Sequence, residues 1–395
     1  ITNYTFNPAP ISQSGNQYSF APNTTNVTIT ANQTLSDANN FLQPIYRTYT
    51  LNYTFPIKDD SRNNMISIGT DVIIYVGSDQ LLHKIAWETN GNMWRWNHYL
   101  ITPQGGWGAV RVEGWLAVNS AQTKVYFKGT DQKIYQMVLP LSASPSIQQL
   151  NLPVGMNVKS DIICRQDGVY FIGSDNFIHR FNPTTNVYDP MLPPSAYGGL
   201  TVVGHLAAAT YPQTHLTFLN SDNKVRYLYE SPGWQIGAIS GTISTGETMI
   251  DPQNGDVYYK TATNQIETLS WNNSTKVYGS QTLITASNDP NYSVDGYMVK
   301  DPGMDRIFYK DMAGRMANMY KSGGVWYSFP FDYNMTDVAG DIRLVSQDRF
   351  FYINKDKSVH EVTYTQTGWY DRAVSVALPR NVKGCSYNYK SLFQD

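Results

Sequence analysis

Apolar residues in this chain follow no single period, but they fall into short blocks that return in one phrase. It reads IIYVGSDQLLHKI at 73–85, VYFKGTDQKIYQM at 125–137, VYFIGSDNFIHRF at 169–181 and LTFLNSDNKVRYL at 216–228. Looser copies are VYYKTATNQIETL at 257–269, IFYKDMAGRMANM at 307–319 and FFYINKDKSVHEV at 350–362. With Asp79, Asp131, Asp175, Asp222, Thr263, Ala313 and Asp356 as reference points, the repeat is roughly 46 residues long. Four residues before each reference stands an aromatic: Tyr75, Phe127, Phe171, Phe218, Tyr259, Tyr309 and Tyr352. Two residues earlier every copy is apolar, a spacing that puts both side chains on one face of a strand. Three and six residues after the reference every copy is apolar again, as at Leu82 and Ile85 or Ile178 and Phe181. That odd spacing makes a strand apolar on both faces, which must lie between two neighbouring layers.

The Gly-Ser-Asp-Gln type of linker between these blocks predicts a hairpin turn whose Asp accepts hydrogen bonds from turn amides. A shorter apolar stretch precedes each copy, such as WLAV at 115–118 or DIIC at 161–164, and an aromatic-bearing strand follows most of them. Each unit is therefore four strands, and four-stranded units buried on both faces predict an all-β fold, a seven-bladed β-propeller of four-stranded antiparallel blades over 51–395. A parallel β-helix has shorter rungs, and a sandwich has no reason to repeat one aromatic column in every unit. No segment reads as a helix. Residues 1–50 carry only Asp37 and Arg47 as charges and read as an Asn/Thr-rich N-terminal arm packed on the propeller, with one strand at 26–35. The arm, or the tail near 378–390, is expected to pair with the first or last blade and cover an open edge.

Composition narrows the function. Charged residues are 15% of the 395, and 29 Lys and Arg stand against 31 Asp and Glu, so no electrostatic footprint for nucleic acid or an anionic membrane exists. No apolar run is long enough to span a bilayer as a helix. The two cysteines, Cys164 and Cys385, allow one bridge or two buried thiols but no disulfide framework and no four-ligand zinc site. Scarce Lys and Glu, abundant Asn, Thr and Tyr, and sequons such as Asn26-Val-Thr predict a secreted or cell-surface protein. The start at Ile1, with no signal-like stretch before the fold, reads as a processed chain or a fragment.

Catalytic motifs are missing: there is no G-x-S-x-G, no S-x-x-K paired with K-T-G and no H-E-x-x-H. His83, His179 and His360 share the position four after the reference, where Tyr135, Arg226, Glu267 and Ala317 stand in the other copies. Equivalent residues around a ring are held apart, so these cannot converge on a metal; they are polar rim residues or one ligand contact per blade. No metal or cofactor is expected. Asp161, Asp251, Asp289, Asp295, Asp301 and Asp341 lie in or near the strands that open each blade and leave room for carboxylates over a central channel. Trp94, Trp234, Trp326 and Trp369 recur near one blade edge, where an indole fills the gap between blades or stacks on a sugar.

The phrase with its following Trp-bearing strand resembles the repeats of fucose-binding and tectonin-like propeller lectins and of secreted Bacteroidetes propellers, over roughly residues 64–375. The resemblance implies sugar sites between adjacent blades, built from aromatic and polar residues; Thr-Ala-Thr-Asn at 261–264 and Asp-Met-Ala-Gly at 311–314 depart from it. The expected function is a non-enzymatic, lectin-like propeller that binds glycans, with Trp94, Trp234, Trp326, Trp369, His83, His179, Arg226 and His360 as ligand contacts. A protein-interaction platform within a surface or secretion assembly is the alternative, and a glycoside hydrolase a more distant one.

Overall fold

The computed structural model describes residues 64–374 apart from short stretches, together with the backbone of five strands within residues 2–52. Seven sheets of four antiparallel strands follow one another along the chain: 65–100, 112–149, 158–189, 202–238, 244–282, 294–330 and 338–373, here blades 1 to 7. The described residues contain no α-helix, only a 3-10 turn at Pro194–Tyr197. Among the described residues every blade is made of four consecutive strands, with no strand exchanged between the first and last blades.

Burial follows the repeat columns. The seven aromatics four before the reference are at most 1% exposed, and both apolar columns after it are at most 2% exposed in every blade. These side chains assemble into seven apolar clusters, one in each gap between neighbouring blades, the seventh joining Phe351, Ile353 and Val359 of blade 7 to Met65, Ile73 and Tyr75 of blade 1. No blade hides its faces alone; each needs two neighbours, and only a closed ring supplies them.

The hairpin turn also links blades. In blade 1 the Gln80 amide donates to the Gly77 carbonyl, the Gly77 amide donates to Leu81, and Gln80 takes a left-handed φ of 63°. This is a type I turn followed by a left-handed bulge residue, and Gln132, Asn176, Asn223 and Asn264 repeat it. The conformation costs a non-glycine residue energy. It aims the residue's carbonyl at the next blade, where the first amide of the inner strand meets it: Val112 to Gln80 at 2.8 Å, Val158 to Gln132 at 2.8 Å, Val202 to Asn176 at 2.9 Å, Ser244 to Asn223 at 2.8 Å, Val294 to Asn264 at 2.9 Å and Val338 to Gly314 at 2.9 Å.

A second set of links runs near the axis. The inner strands are interrupted by β-bulges, and Trp115, Asp161, His205 and Tyr297 adopt left-handed φ there. The bulge turns the side chain toward the next blade. Asp161 accepts from the Leu206 amide at 3.3 Å, and the Tyr297 ring lies over Gly340, where an added Cβ would be 3.2 Å from it.

Residues 2–52 hold more structure than the single strand expected from sequence. Thr2–Asn7, Asn26–Ser36 and Leu42–Asn52 form one sheet and Ser12–Ser14 with Gln17–Ser19 another, and none of the five belongs to a blade. Leu42–Asn52 alternates polar with apolar residues only from Thr48 onward, too short a run to stand out within a polar segment. Residues 375–395, with Cys385 and the expected closing tail, lie outside the described residues.

Candidate functional site

The polar column four after the reference has a structural partner in the turn. Each of its residues pairs across the hairpin with the aromatic four before the reference, as in Tyr75 with His83 and Phe171 with His179. The rings stack in Tyr75–His83 and Phe171–His179, with centroids 5.2 Å and 5.4 Å apart, and meet at a tilt in Tyr352–His360, 5.1 Å apart. The far end of the side chain then reaches the reference Asp: His83 Nε2 to Asp79 at 3.0 Å, Tyr135 to Asp131 at 2.7 Å, His179 to Asp175 at 2.8 Å and Arg226 to Asp222 at 2.5 Å. The same carboxylates accept the amide two residues on, at Leu81, Lys133, Phe177 and Lys224.

This clasp explains the glycine. A Cβ at Gly77, Gly129 or Gly173 would fall 2.4 to 2.7 Å from the Asp and its His or Tyr partner. Where the reference residue is not acidic, the glycine position carries the acceptor instead: Thr261 takes the Gln265 amide and Asp311 takes the Arg315 amide. The two copies that depart from the motif thus keep its hydrogen bond with different residues. His360 turns instead to Asp371, at 2.9 Å.

In blade 1 the clasp extends to a second imidazole, with His83 Nδ1 3.0 Å from His98 Nε2. Burial holds His98 well below its ordinary value, at about 4, reinforced by the charge of His83 and opposed by Asp79. The unfolded chain, with its histidines near 6.5, then binds more protons than the native state between these values. Stability from this group is complete above pH 6.5 and is lost as pH falls toward 4, by about 3 kcal/mol in all. Urea unfolding at pH 7 and pH 4.5 should show His98→Asn losing less stability on acidification than the parent.

The expected tryptophan contacts stand in separate gaps. Trp234 meets Tyr170 of the preceding blade at 6.1 Å, Trp326 meets Tyr258 at 6.4 Å and Trp369 meets Phe308 at 6.1 Å, all edge to face. Each is half-buried and plugs the outer end of an inter-blade core. In blade 1 this place is taken by Trp96, against Phe351 at 5.6 Å, while the side chain of Trp94 lies outside the described residues. Trp234, Trp326 and Trp369 thus stand in three different gaps, while His83, His179, Arg226 and His360 each belong to the turn of a different blade.

Sequence reasoning missed an arc of tyrosines. Tyr327 is 44% exposed, Tyr364 53%, Tyr370 63% and Tyr99 40%, and all lie on the two outer strands of blades 6, 7 and 1, which are neighbours across the ring closure. Tyr364 lies against Trp369 at 5.1 Å, and Tyr327 of the facing blade against Tyr320 at 5.8 Å. Arg306, paired across the strands with Tyr320, lines the same gap. In the next gap Arg372 lies 5.1 Å from the Trp87 ring and Arg349 5.4 Å from the Trp96 ring.

The acids expected over the channel are buried and engaged, apart from Asp295, which is exposed and pairs with Lys310 at 2.7 Å, and from Asp289, which lies outside the described residues. Asp161 holds the Leu206 amide, Asp341 holds the Asn64 amide at 2.6 Å, and Asp251 lies 3.5 Å from Lys300. A central cavity of about 290 Å³ lies among the inner strands of blades 3 to 7. Among the described residues, no three His, Cys, Asp or Glu side chains stand together to hold a metal ion, and no helix is long and apolar enough to cross a membrane. Burial pushes the Cys164 thiol up to about 12, away from nucleophilic chemistry.

No protein-family model and no curated protein matches the chain. Solved structures do. The WD40 propeller domain of Doa1 aligns with a TM-score of 0.53 at 12% identity, over 79% of this chain and 96% of that one. A putative 6-phosphogluconolactonase from Bacteroides uniformis aligns with a TM-score of 0.54 at 11% identity, over 80% and 97%. At such identities the likeness concerns the fold alone, a β-propeller repeat protein.

Proposed function

We propose that the chain is a secreted or cell-surface binding propeller that recognises glycans along the outer rim of blades 6, 7 and 1 without catalysing their cleavage. The observation that carries this reading is the clustering of the exposed tyrosines in those three adjacent blades. Exposed phenol rings, that of Tyr364 backed by the half-buried Trp369 indole, offer flat apolar surfaces for the C–H faces of sugars. The neighbouring Arg306 can hydrogen-bond hydroxyl groups. Contacts repeated in successive gaps turn weak single sites into avidity for a polymer.

The absence of catalysis belongs to the same proposal. Asp161, Asp251 and Asp341 hold amides or a lysine of neighbouring segments, so recruiting them as acid or base would break links of the ring. The clasp residues His83, His179 and Arg226 are likewise tied to their turns, which moves the proposed contacts from that column to the tyrosines.

A glycan array followed by calorimetric titration tests the proposal. Tyr364→Ala and Tyr370→Ala, at exposed positions of little structural cost, should each weaken binding to a polysaccharide without abolishing it. Binding to no glycan removes the reading. A protein partner whose capture withstands sugar competition and depends on the same tyrosines would replace it with the interaction-platform alternative.

A further inference from the structure

Two neighbouring gaps of the ring are built alike around an arginine. Between blades 7 and 1, Arg349 lies 5.4 Å from the Phe351 ring, and Trp96 of the next blade meets that phenyl edge to face at 5.6 Å. Between blades 6 and 7, Arg306 lies 5.9 Å from Phe308, and Trp369 of the next blade meets it edge to face at 6.1 Å. Each arginine opens the second strand of its blade.

The two gaps differ by one carboxylate. Glu361, paired across the strands with Phe351, accepts from Arg349 Nε at 2.7 Å and from the Trp96 indole at 3.1 Å. The residue paired with Phe308 is Asn318, neutral and one methylene shorter. Among the described residues Arg306 forms no hydrogen bond and no ion pair. Its Nε is buried, so packing seats the guanidinium, while the terminal nitrogens reach solvent. Asp305, beside it in sequence, lies 3.8 Å from Lys300. Asp348, exposed in the place that Asp71 holds one blade on, makes no ion pair with Arg306. The Trp369 indole N–H likewise donates to none of the described residues. Beside these donors stand the rings of Tyr364 and, across the gap, Tyr320 and Tyr327.

We propose that the glycan recognised by this rim is acidic, with the terminal nitrogens of Arg306 holding the carboxylate of a uronic acid whose ring lies on Tyr364 and Trp369. This site rests on the glycan reading and adds the charge of the ligand to it. The ligand supplies to Arg306 the kind of group that Glu361 supplies to Arg349. A guanidinium offers a carboxylate two parallel donors, and such charge-assisted bonds are stronger than those to a hydroxyl group. With 29 basic against 31 acidic residues the chain has no general attraction for polyanions, so a preference for acid has to be local.

Alginate, polygalacturonate and hyaluronate, each beside its carboxyl-reduced form, are titrated calorimetrically into the full chain at physiological ionic strength. At least one uronate polymer should bind about ten-fold or more tightly than its reduced form. Arg306→Gln should remove that preference and leave affinity for the reduced form in place, whereas Tyr364→Ala should weaken both. The ratio of acid to neutral affinity is measured on the parent chain as well, and it decides the matter if Arg306→Gln does not fold. Equal affinity for the two forms, or a preference that survives Arg306→Gln, overturns the proposal and leaves the glycan reading standing. Binding to none of these polymers overturns it too, and only binding to no glycan of any kind removes both.

Discussion

Replacing Glu361 with Leu should destabilise the protein by about 3 kcal/mol or more, as for other buried charges whose partner is removed. Glu361 is 1% exposed in the gap between blades 7 and 1, where three groups converge on it. Arg349 Nε donates at 2.7 Å, Arg372 Nε at 2.6 Å and the indole N–H of Trp96 at 3.1 Å. Without the carboxylate, two guanidinium groups face each other, with Asp71, 3.2 Å from Arg349, offsetting one of them. Trp96 also loses its acceptor. These side chains join the gap's apolar cluster, the bond from Arg343 to the Met65 carbonyl and the carboxylate of Asp341 in closing the ring. Chemical denaturation should show a lowered midpoint, and near-ultraviolet circular dichroism should report a changed environment for Trp87 and Trp96. A change under 1 kcal/mol would mean that the junction is held by its apolar contacts alone.

The second large effect is expected from the aromatic column. Phe171→Ala should cost about 3 to 5 kcal/mol, the range for removing a buried phenyl ring. Phe171 is wholly buried, packs in the cluster between blades 2 and 3 with Tyr126, Val158 and Val169, and carries the stacked ring of His179. Its loss opens a cavity in one gap and unseats the clasp of the same turn. Phe171→Leu, which keeps most of the volume, should cost less than half as much. Equal effects of the two variants in urea unfolding would contradict the packing described here.

The fold was legible because the repeat prints the same constraint seven times. A column such as Tyr75, Phe127 and Phe171 separates burial from chance as no single aromatic can. The clasp was half legible: the Asp of the turn could be read, but a His four residues on looks the same in sequence whether it meets a sugar or its own turn. Only the cross-strand stacking of Phe171 on His179 separates the two. The tryptophan column marked the right gaps, but the degree of exposure depends on the neighbouring blade. That is why the tyrosine arc over blades 6, 7 and 1 escaped notice. Glu361, Arg349 and Trp96 could not be joined from sequence, since Trp96 and Glu361 are 265 residues apart and no repeat column contains the contact. Arg306 was equally hidden: it shares a repeat column with Arg349, but which of the two meets a carboxylate appears only in the structure.

The central claim is that seven gap cores close one ring, blade 7 meeting blade 1 through an apolar cluster and through the side chains of Arg343, Asp341, Arg349 and Glu361. Asp71 and Arg349, 3.2 Å apart and 278 residues apart in sequence, straddle that junction. Spin labels on cysteines at these two positions, with Cys164 and Cys385 changed to Ser, measure the closure by pulsed dipolar spectroscopy. One narrow distribution at the short limit of the method is the predicted result, and a broad or long distribution in a folded protein would contradict a closed ring.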